Sequence, residues 1–405
     1  MNPSVDPTGC SGFSRRSFFR FAAGASALAS MPILTEARLA MAERPKFADP
    51  NKGIHIDANE NPLGPSEAAR QAIANIIPKG GRYEFTMESD LAETFAKIEG
   101  LNPESVIPFA GSSEPLHYTV LAFTDKNKPL VVADPGYEAP MWAAQVSGAP
   151  IIKVPLADPK GEAKHDIKAM LAASANPGVI YICNPNNPTG TCTPHADIEH
   201  AVANAPKGTI ILIDEAYIHL CDAPRSLEFV KDGKDVIVLR TFSKLYGMAG
   251  IRMGFAVGRP DLVAKLVPFG GMNSLPITAL AAAKASLTDP DLVSSRKKII
   301  GDIRVENLAW LKSNGFACTP SESNCFMLDV RRPGKEVMAA MAAKDIYIGR
   351  IWPAWPTQVR ITVGTADEMA AFRKAFTEVM ASPTAGLVPP KLPSRLAERP
   401  FTHLS

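Results

Sequence analysis

The sequence predicts an α/β protein with a large domain built on a mostly parallel β-sheet and a smaller α+β domain assembled from both chain ends. Two observations predict this fold. Short apolar runs alternate with amphipathic stretches, a pattern typical of buried parallel strands connected by helices. The chain also has 405 residues, which exceeds the size at which a single hydrophobic core usually keeps growing.

The strands of the large domain are predicted from apolar runs at residues 129–132, 150–154, 179–183, 209–213 and 236–239. Amphipathic stretches at residues 138–147 and 197–205 predict helices between some of these strands. Strands that are apolar throughout are expected to be buried on both faces, with the connecting helices covering the sheet. The alternation of strand and helix along the chain therefore favours parallel pairing.

The pattern of helix-like and strand-like segments changes after residue 276, where the small domain is predicted to begin. The elements expected there are helices at 279–287 and 291–314, strands at 326–330 and 359–363, and a closing helix at 367–381. The predicted domains are an N-terminal segment that joins the small domain (43–80), the large domain (81–275) and the C-terminal small domain (276–381). The proline-rich tail, 382–405, is expected to be extended or disordered.

The first 42 residues differ in character from the rest and are predicted to be an export leader. Arg15 and Arg16 precede a small-residue apolar stretch at 21–34, and this arrangement resembles a twin-arginine signal. Residues 40–42 fit the pattern of a cleavage site and place the mature start near Glu43. We therefore expect a periplasmic or otherwise exported protein. The alternative is a disordered basic tail on a cytoplasmic one.

The charge and the cysteine content argue against several classes of function. A formal net charge of +2 gives no reason to expect nucleic acid or a membrane surface as a partner. Beyond the leader, no apolar run is long enough to span a bilayer, so no stable membrane association is expected after cleavage. The six cysteines show neither metal-ligand spacing nor a dense disulfide framework, so we predict no metal site and no disulfide.

The most specific pattern in the sequence follows the predicted strand at 236–239. It reads S-K-x-x-G-x-A-G-x-R-x-G from Ser243 to Gly254. A lysine that forms a Schiff base must be largely neutral to attack a carbonyl, so burial or neighbouring cations must lower its pKa. Arg252, eight positions after Lys244, can grip a phosphate with two hydrogen bonds, and Ser243 adds a hydroxyl. The string therefore predicts a Schiff-base lysine beside a phosphate-binding arginine.

A second pattern lies at the end of the predicted strand at 209–213, where Asp214 and Tyr217 follow. An acidic residue in this place sits at the carboxyl edge of the sheet, where α/β proteins bind ligands. A carboxylate there can keep a pyridine-type ring nitrogen protonated, which makes the ring an electron sink. The alternative is an aspartate that only caps the next helix.

Three loop motifs complete the set of candidate residues. Asn187 lies in an Asn-Pro-rich segment after the strand at 179–183 and could donate its amide to a ring oxygen, although such a segment also forms a turn by itself. Ser112 and Ser113 precede a helix-like stretch, where free N–H groups can bind a phosphate or where the serines only cap the helix. Tyr137, in a Pro-Gly turn, could stack on a planar ring.

With these motifs together, the chain resembles the fold-type I, class I/II aminotransferases, most closely the histidinol-phosphate aminotransferase branch. The likeness runs from about residue 54 to residue 376 and includes the segments 59–65 and 360–365. It implies pyridoxal 5′-phosphate (PLP) as the cofactor. It also implies a ping-pong transfer of an amino group between an amino acid, or an amine like histidinol phosphate, and a 2-oxo acid. Lys244 would form the internal aldimine and shuttle the substrate proton, and Asp214 would pair with the ring nitrogen.

The resemblance implies roles for the other motif residues as well. Tyr217, assigned to catalysis with the lysine and the aspartate, would contact the ring oxygen together with Asn187. Tyr137 would stack on the ring. The residues that would hold the phosphate are Ser112, Ser113, Ser243 and Arg252. Tyr83 matches a tyrosine that a neighbouring subunit lends to the cofactor site in this family, which implies a homodimer.

The substrate end is assigned to Arg360, Arg350 and Asn61 on the same resemblance. Arg360 would take the carboxylate of the substrate or, in this branch, its phosphate. The segment around Arg350 is richer in tryptophan and proline than is typical of the family. We expect Arg360 to bind a carboxylate while Trp352 and Trp355 receive an aromatic or imidazole side chain. The alternative is that the two arginines clamp a phosphate together.

Other functions on the same fold remain as alternatives. A PLP-dependent lyase or decarboxylase would use the same Lys244 and Asp214, and a non-catalytic PLP-fold binding protein is a third possibility. Transamination is favoured because it needs one carboxylate site that serves two substrates in turn, which Arg360 supplies. Ping-pong kinetics with a 2-oxo acid acceptor would discriminate between these functions.

Overall fold

A computed structural model describes residues 33–44, 52–270 and 274–382. Within these residues the strands are β1 (Ile54–Ile56), β2 (Val106–Phe109), β3 (Leu130–Asp134), β4 (Ile151–Pro155), β5 (Val179–Cys183), β6 (Ile210–Asp214), β7 (Val236–Thr241), β8 (Gly254–Gly258), β9 (Cys325–Asp329), β10 (Ile346–Ile348) and β11 (Gln358–Thr362). The first 32 residues of the predicted leader, and the predicted tail from residue 383, lie outside the described residues.

The α-helices of the described residues are α1 (Glu36–Glu43), α2 (Glu67–Ile76), α3 (Met87–Glu99), α4 (Ser113–Phe123), α5 (Ala139–Ser147), α6 (Ile167–Ala172), α7 (His195–Asn204), α8 (Leu227–Lys231), α9 (Pro260–Val263), α10 (Ile277–Leu287), α11 (Leu292–Ser313), α12 (Gly334–Ala342) and α13 (Ala366–Ala381). Short 3₁₀ helices lie at Ile77–Lys79, Pro103–Ser105, Ile218–Leu220 and Val267–Phe269. None of the helices in the described part of the chain is both long and apolar enough to cross a membrane.

The large domain is organised around a seven-stranded sheet with the order β2-β8-β7-β6-β5-β3-β4. Strands β3 to β7 are parallel to their neighbours among themselves, and β8 is antiparallel to both β7 and β2. The five predicted strands match β3 to β7 with ends shifted by at most two residues, so the predicted mostly parallel sheet is confirmed. Strands β5, β6 and β7 are buried along their whole length, as their continuous apolar runs predict.

The antiparallel strand β8 is not among the predicted strands, since it begins inside the lysine motif and contains two glycines. Its first residue explains why glycine is needed there. A Cβ on Gly254 would lie 2.6 Å from the carbonyl oxygen of Arg240 and 2.8 Å from the amide nitrogen of Ser112. The close approach brings the start of α4 next to the loop between β7 and β8, and this loop carries Lys244.

The small domain joins elements from the two ends of the described chain. Strand β1 pairs in parallel with β10, and β9 pairs antiparallel with β11, which places Arg360 opposite Met327. The three predicted helices of this region correspond to α10, α11 and α13. Helix α13 begins with a capping box between Thr365 and Glu368 and buries Phe372 in the core. The amphipathic period of the sequence is therefore a good guide to these helices.

Two predicted absences concern the cysteines and metals. The cysteines that the structure describes, from position 183 to position 325, are free thiols. Over the described residues, no group of three or more His, Cys, Asp or Glu side chains is arranged to hold a metal ion. In the described part of the chain, neither observation gives a disulfide or a metal ion a structural role.

Candidate active site

A cavity of about 330 Å³ lies at the carboxyl edge of the parallel strands. Cys183, Asp214 and Thr241, the last residues of β5, β6 and β7, all line it. The predicted cofactor residues that line this cavity are Ser112, Ser113, Tyr137, Asn187, Asp214, Tyr217, Ser243, Lys244 and Arg252. The volume lies at the lower end of the range of about 300–1,000 Å³ that is usual for ligand pockets, which suits a compact cofactor.

Lys244 is buried and lines the cavity with this set. Its Nζ donates to the carbonyl oxygen of Asn59 over 3.0 Å and lies 5.4 Å from the centre of the Tyr217 ring. Burial lowers the pKa of Lys244, and although Glu36 acts to raise it, Arg360 acts in the same direction as burial. A lowered pKa increases the fraction of neutral amine at neutral pH, and the neutral amine is the form that attacks a carbonyl.

Asp214 presents a carboxylate to the cavity from the end of β6. Tyr181 donates its hydroxyl to Oδ2 over 2.8 Å, and the backbone N–H of Ala216 donates to Oδ1 over 3.1 Å. Burial raises the pKa of Asp214 to about 6, although both hydrogen bonds favour the ionised form. The next acidic residue, Glu215, pairs with Arg240 instead. Asp214 does not cap the short helix that follows, so capping alone does not account for it.

The start of α4 and the loop after β7 form the phosphate side of the cavity. Ser112 precedes α4, and its hydroxyl makes no capping bond, so it is free to contact a ligand beside the open N–H groups of the helix start. Arg252 donates to Ser243 Oγ over 3.2 Å and to the carbonyl oxygen of Ala110 over 3.1 Å. A Cβ on Gly111 would overlap this guanidinium. A fixed guanidinium beside a helix start is a suitable site for a phosphate.

Asn59 is a site residue that the sequence interpretation missed. Its Nδ2 donates to the hydroxyl oxygen of Tyr217 over 3.0 Å, and its Oδ1 accepts from the hydroxyl of Thr362 over 3.0 Å. Burial raises the pKa of Tyr217 well above its usual value, so the phenol keeps its proton and can donate it to a ring oxygen. The segment 59–65 does carry the family resemblance, but Asn61 was selected there instead of Asn59.

The two predicted substrate arginines lie together behind Glu36, which lines the cavity, whereas neither arginine does. Arg360 is fully buried, and it donates to Asn187 Oδ1 over 2.9 Å and to Glu36 Oε1 over 2.7 Å. Arg350 donates to both carboxylate oxygens of Glu138, over 3.1 and 3.0 Å. Its Nε also lies 3.4 Å from Glu36. The two guanidinium groups therefore meet at Glu36, a residue of the predicted leader that sequence patterns do not connect with the site.

The tryptophans near Arg350 do not form a pocket for a substrate side chain. Trp352 is 1% exposed, and its Nε1 donates to the carbonyl oxygen of Gly136 over 2.9 Å. The guanidinium carbons of Arg350 and Arg360 lie 4.7 and 5.6 Å from its ring centre. Trp355 packs on a separate apolar cluster. The prediction that these indoles receive a substrate side chain is therefore wrong, because the Trp352 ring already supports the arginines and neither indole lines the cavity.

Two further predicted residues do not line the cavity. Asn61 donates its Nδ2 to the carbonyl oxygen of Leu245 over 2.7 Å, so it fixes the loop just after Lys244 instead of facing a substrate. Tyr83 is 73% exposed and stacks on Phe85 with 5.5 Å between ring centres. Within one chain, therefore, the structure does not bring Tyr83 to the cofactor site.

Residues 51–376 match the family model for aminotransferase class I and II. The chain belongs to this family. Histidinol-phosphate aminotransferase of Moorella thermoacetica is 32% identical over 341 residues, which covers 81% of this chain and 86% of that protein. The enzyme of the same name from Bacillus subtilis is 29% identical over 336 residues, covering 82% and 92%. The crystal structure of histidinol-phosphate aminotransferase from Sinorhizobium meliloti in complex with PLP is 25% identical, has a TM-score of 0.75 and covers 91% of this chain.

The protein is thus a PLP-dependent aminotransferase, and the predicted fold, cofactor and reaction class are confirmed. The residues of the cavity fit the cofactor, because its lining combines a buried acid, a lysine, and a cation with neighbouring hydroxyls. When bound, PLP supplies an electron sink for the bonds at the substrate Cα. Asp214 would hold the ring nitrogen, and Arg252 with the neighbouring serines would hold the phosphate.

Two buried side chains, Lys244 and Tyr217, would carry out the proton transfer and the contact with the ring oxygen. The Nζ of Lys244 is held by the carbonyl oxygen of Asn59. It would take the proton from the Cα of the amino donor and would deliver a proton to the Cα of the new amino acid in the second half-reaction. Tyr217, oriented by the amide of Asn59, would donate a hydrogen bond to the ring oxygen. Both groups are buried, so water is largely excluded from the place where the proton moves.

Proposed function

We propose that this aminotransferase accepts α-amino acids without a phosphate group and binds their carboxylate at Arg360. The observation that carries the proposal is the bidentate contact between Arg350 and Glu138. Both oxygens of Glu138 accept hydrogen bonds from this guanidinium, which is the geometry of an ionised carboxylate. Arg350 is therefore already paired with a residue of the large domain, and Arg360 is left to meet the substrate.

The charge balance of the site supports a single carboxylate. Arg350 and Arg360 are cations, and Glu138 is an anion fixed against one of them. Burial raises the pKa of Glu138 while Arg350 opposes this effect, and the two-oxygen contact is that of the anion. Without Glu36, which lies in the predicted leader, one positive charge remains, and a carboxylate neutralises it. A phosphate dianion would leave a buried negative charge without a partner, which is unfavourable.

The test compares histidinol phosphate with histidine and the aromatic amino acids at matched concentrations. Loss of a charge-assisted hydrogen bond costs about 1.5–3 kcal/mol, so in a Glu36→Ala chain Arg360→Ala should raise the KM of every amino acid by about 10- to 150-fold. Arg350→Ala should affect amino acids much less, and Arg259→Ala, at a surface ion pair remote from the site, is the matched control. A preference for histidinol phosphate by orders of magnitude, removed selectively by Arg350→Ala, would establish the phosphate clamp instead.

We also propose that the enzyme is a homodimer in which each subunit lends Tyr83 to the other. The exposure of Tyr83 (73%) and of Phe85 (80%) supports this, because a stacked aromatic pair on the surface has apolar area to bury. Mixed dimers of Tyr83→Ala and Lys244→Ala chains should recover activity, since one of their two sites carries neither change. Recovery that never exceeds the sum of the two separate variants would show that both residues act within one subunit.

Export is the third part of the proposal. It is supported by the arginine pair at positions 15 and 16 and by the apolar stretch that follows, both of which lie before the family match at residue 51. Exchange of Arg15 and Arg16 for lysine should keep the protein in the cytoplasm, because the arginine pair is the recognised feature of the signal. Unchanged fractionation of the double variant would show that the segment is only a basic tail.

A further inference from the structure

Helix α1 places a carboxylate at the substrate end of the cavity. Its first residue, Glu36, has Oε1 at 2.7 Å from an Nη atom of Arg360 and 3.4 Å from Nε of Arg350. Its Oε2 accepts from the side-chain amide of Asn187 over 3.0 Å. Both carboxylate oxygens are therefore bound by the cationic and amide donors that a substrate carboxylate would use.

Arg360 is closed to any other carboxylate in this arrangement. It is fully buried and does not line the cavity, whereas Glu36 does. The other partners of its Nη atoms are the side-chain oxygen of Asn187 and the carbonyl oxygen of Asp57. An amino acid or a 2-oxo acid can reach this guanidinium only after Glu36 has moved away.

Three principal cofactor residues remain open beside Glu36, although the amide of Asn187 is bound to it. Lys244, Asp214 and Arg252 all line the cavity of about 330 Å³, and none of them is hydrogen-bonded to Glu36. Glu36 is also held as an anion, because Arg350 and Arg360 outweigh the effect of burial and lower its pKa to about 2. The carboxylate thus obstructs the substrate end of the cavity at every physiological pH and leaves the cofactor end free.

The predicted cleavage site lies in the same helix. Ala40, at the start of that site, is 2% exposed, so the helix is packed against the domain surface at this point. Beyond the site, Arg44 forms an ion pair with Asp57 through contacts of 2.5 and 2.8 Å. A cut before Glu43 would remove Glu36 from the chain and leave the Arg44 anchor in place.

We propose that Glu36 is a tethered competitor of the substrate, which occupies the Arg360 site in the uncut chain and admits PLP but excludes amino acids and 2-oxo acids. The proposal rests on the proposed function of Arg360 as the carboxylate site. If the tethered carboxylate occupies the site about 90% of the time, the apparent KM of every carboxylate substrate rises about tenfold. Loss of the segment before Glu43 would then activate the enzyme, after the cofactor has been loaded.

The test uses the full chain loaded with PLP and the unreactive monocarboxylate 3-phenylpropionate as probe. Its Kd is measured by calorimetry for wild type, Glu36→Gln, Glu36→Ala and the control Met41→Ala, which changes an exposed residue of the same helix. We expect the Kd, and the KM of amino acid and 2-oxo acid, to fall about tenfold or more in Glu36→Ala and less in Glu36→Gln. PLP affinity and the Met41→Ala values should stay within about twofold of wild type.

A measurement on the wild-type chain needs no substitution. Saturation with 3-phenylpropionate should accelerate amide hydrogen exchange in α1, because the probe and the helix compete for one site. Unchanged exchange in α1, or an unchanged or weaker Kd in Glu36→Ala, would overturn the proposal.

The double variant Glu36→Ala, Arg360→Ala separates this failure from failure of the proposed function. Loss of probe binding in the double variant, without a gain in Glu36→Ala, rejects only the tethered competitor. A gain in Glu36→Ala that Arg360→Ala does not reverse rejects Arg360 as the carboxylate site, and the proposal with it. A gain that Arg360→Ala abolishes supports both.

Discussion

Replacement of Asp214 by asparagine should make the cofactor-free protein more stable and the enzyme far less active. The side chain is buried, and its two oxygens accept hydrogen bonds from Tyr181 and from the backbone of Ala216. Asparagine has nearly the same shape but only one acceptor oxygen, so one of these donors loses its partner. It also removes a buried negative charge that, without PLP, faces no cation at hydrogen-bond distance.

The size of the effect follows from the pKa of Asp214, which burial raises from 3.8 to about 6. At 1.36 kcal/mol per pKa unit, the ionised form costs the folded protein about 3 kcal/mol relative to the unfolded chain. Because the folded-state pKa is raised, this cost is absent below about pH 4, grows as the pH rises through about 6 and is complete above it. After about 1 kcal/mol is deducted for the lost hydrogen bond at both pH values, Asp214→Asn should gain about 2 kcal/mol at pH 8 and lose about 1 kcal/mol at pH 4.

The assay is denaturant unfolding of the cofactor-free protein at pH 4 and pH 8, with Asp302→Asn, at an exposed ion pair, as the matched control. In the same variant PLP should stay bound through its phosphate contacts. Turnover should fall by more than the roughly 150-fold that loss of one charge-assisted hydrogen bond explains, because the ring is a weaker electron sink. An apoprotein that gains no stability at pH 8 would show that burial does not destabilise the ionised carboxylate. A variant that keeps near-normal turnover would show that Asp214 does not keep the ring nitrogen protonated.

Two further substitutions address the phosphate and the ring oxygen. Arg252→Lys should weaken PLP binding by about tenfold or more, because an ammonium cannot hold both Ser243 and a phosphate in one plane. Equilibrium dialysis measures the affinity for PLP, and an unchanged affinity would contradict this role. Asn59→Ala should lower kcat with little effect on the KM of the amino donor, because it frees the phenol of Tyr217 without touching Arg360. Steady-state kinetics in which only KM changes would contradict a role of Asn59 in orienting Tyr217.

The cofactor side of the site was predictable from sequence because its residues follow strands that the sequence also predicts. Asp214 ends β6, and Lys244 follows β7 within a highly specific string, so chain order and strand direction bring the two side chains to one edge. Strand β8 was harder to predict, since glycines give it no apolar alternation. The predicted parallel core is nevertheless the frame that positions the cofactor residues.

The substrate side depends on contacts that no local pattern records. Glu36 and Arg360 are hydrogen-bonded although 324 positions separate them. The amides of Asn59 and Asn61 have different partners, the hydroxyl of Tyr217 and the carbonyl oxygen of Leu245, and no sequence pattern distinguishes the two asparagines. The sequence around Trp352 reveals the presence of an indole. It does not reveal that guanidinium groups already cover the ring. Tertiary packing decides each of these cases.

Amino transfer by Lys244 with PLP can be tested through its two half-reactions. In the first step, PLP-loaded protein is mixed with an amino acid and no acceptor, and the amount of 2-oxo acid formed is measured per bound cofactor. In the second step, the enzyme is isolated and a different 2-oxo acid is added. The Glu36→Ala chain is measured beside wild type, so that competition by the tethered carboxylate does not prevent substrate binding in the test. We predict one equivalent of 2-oxo acid in the first step, one equivalent of new amino acid in the second, and neither from Lys244→Ala, which should keep its fold. Release of carbon dioxide in place of the keto product, or transamination by Lys244→Ala, would contradict the account.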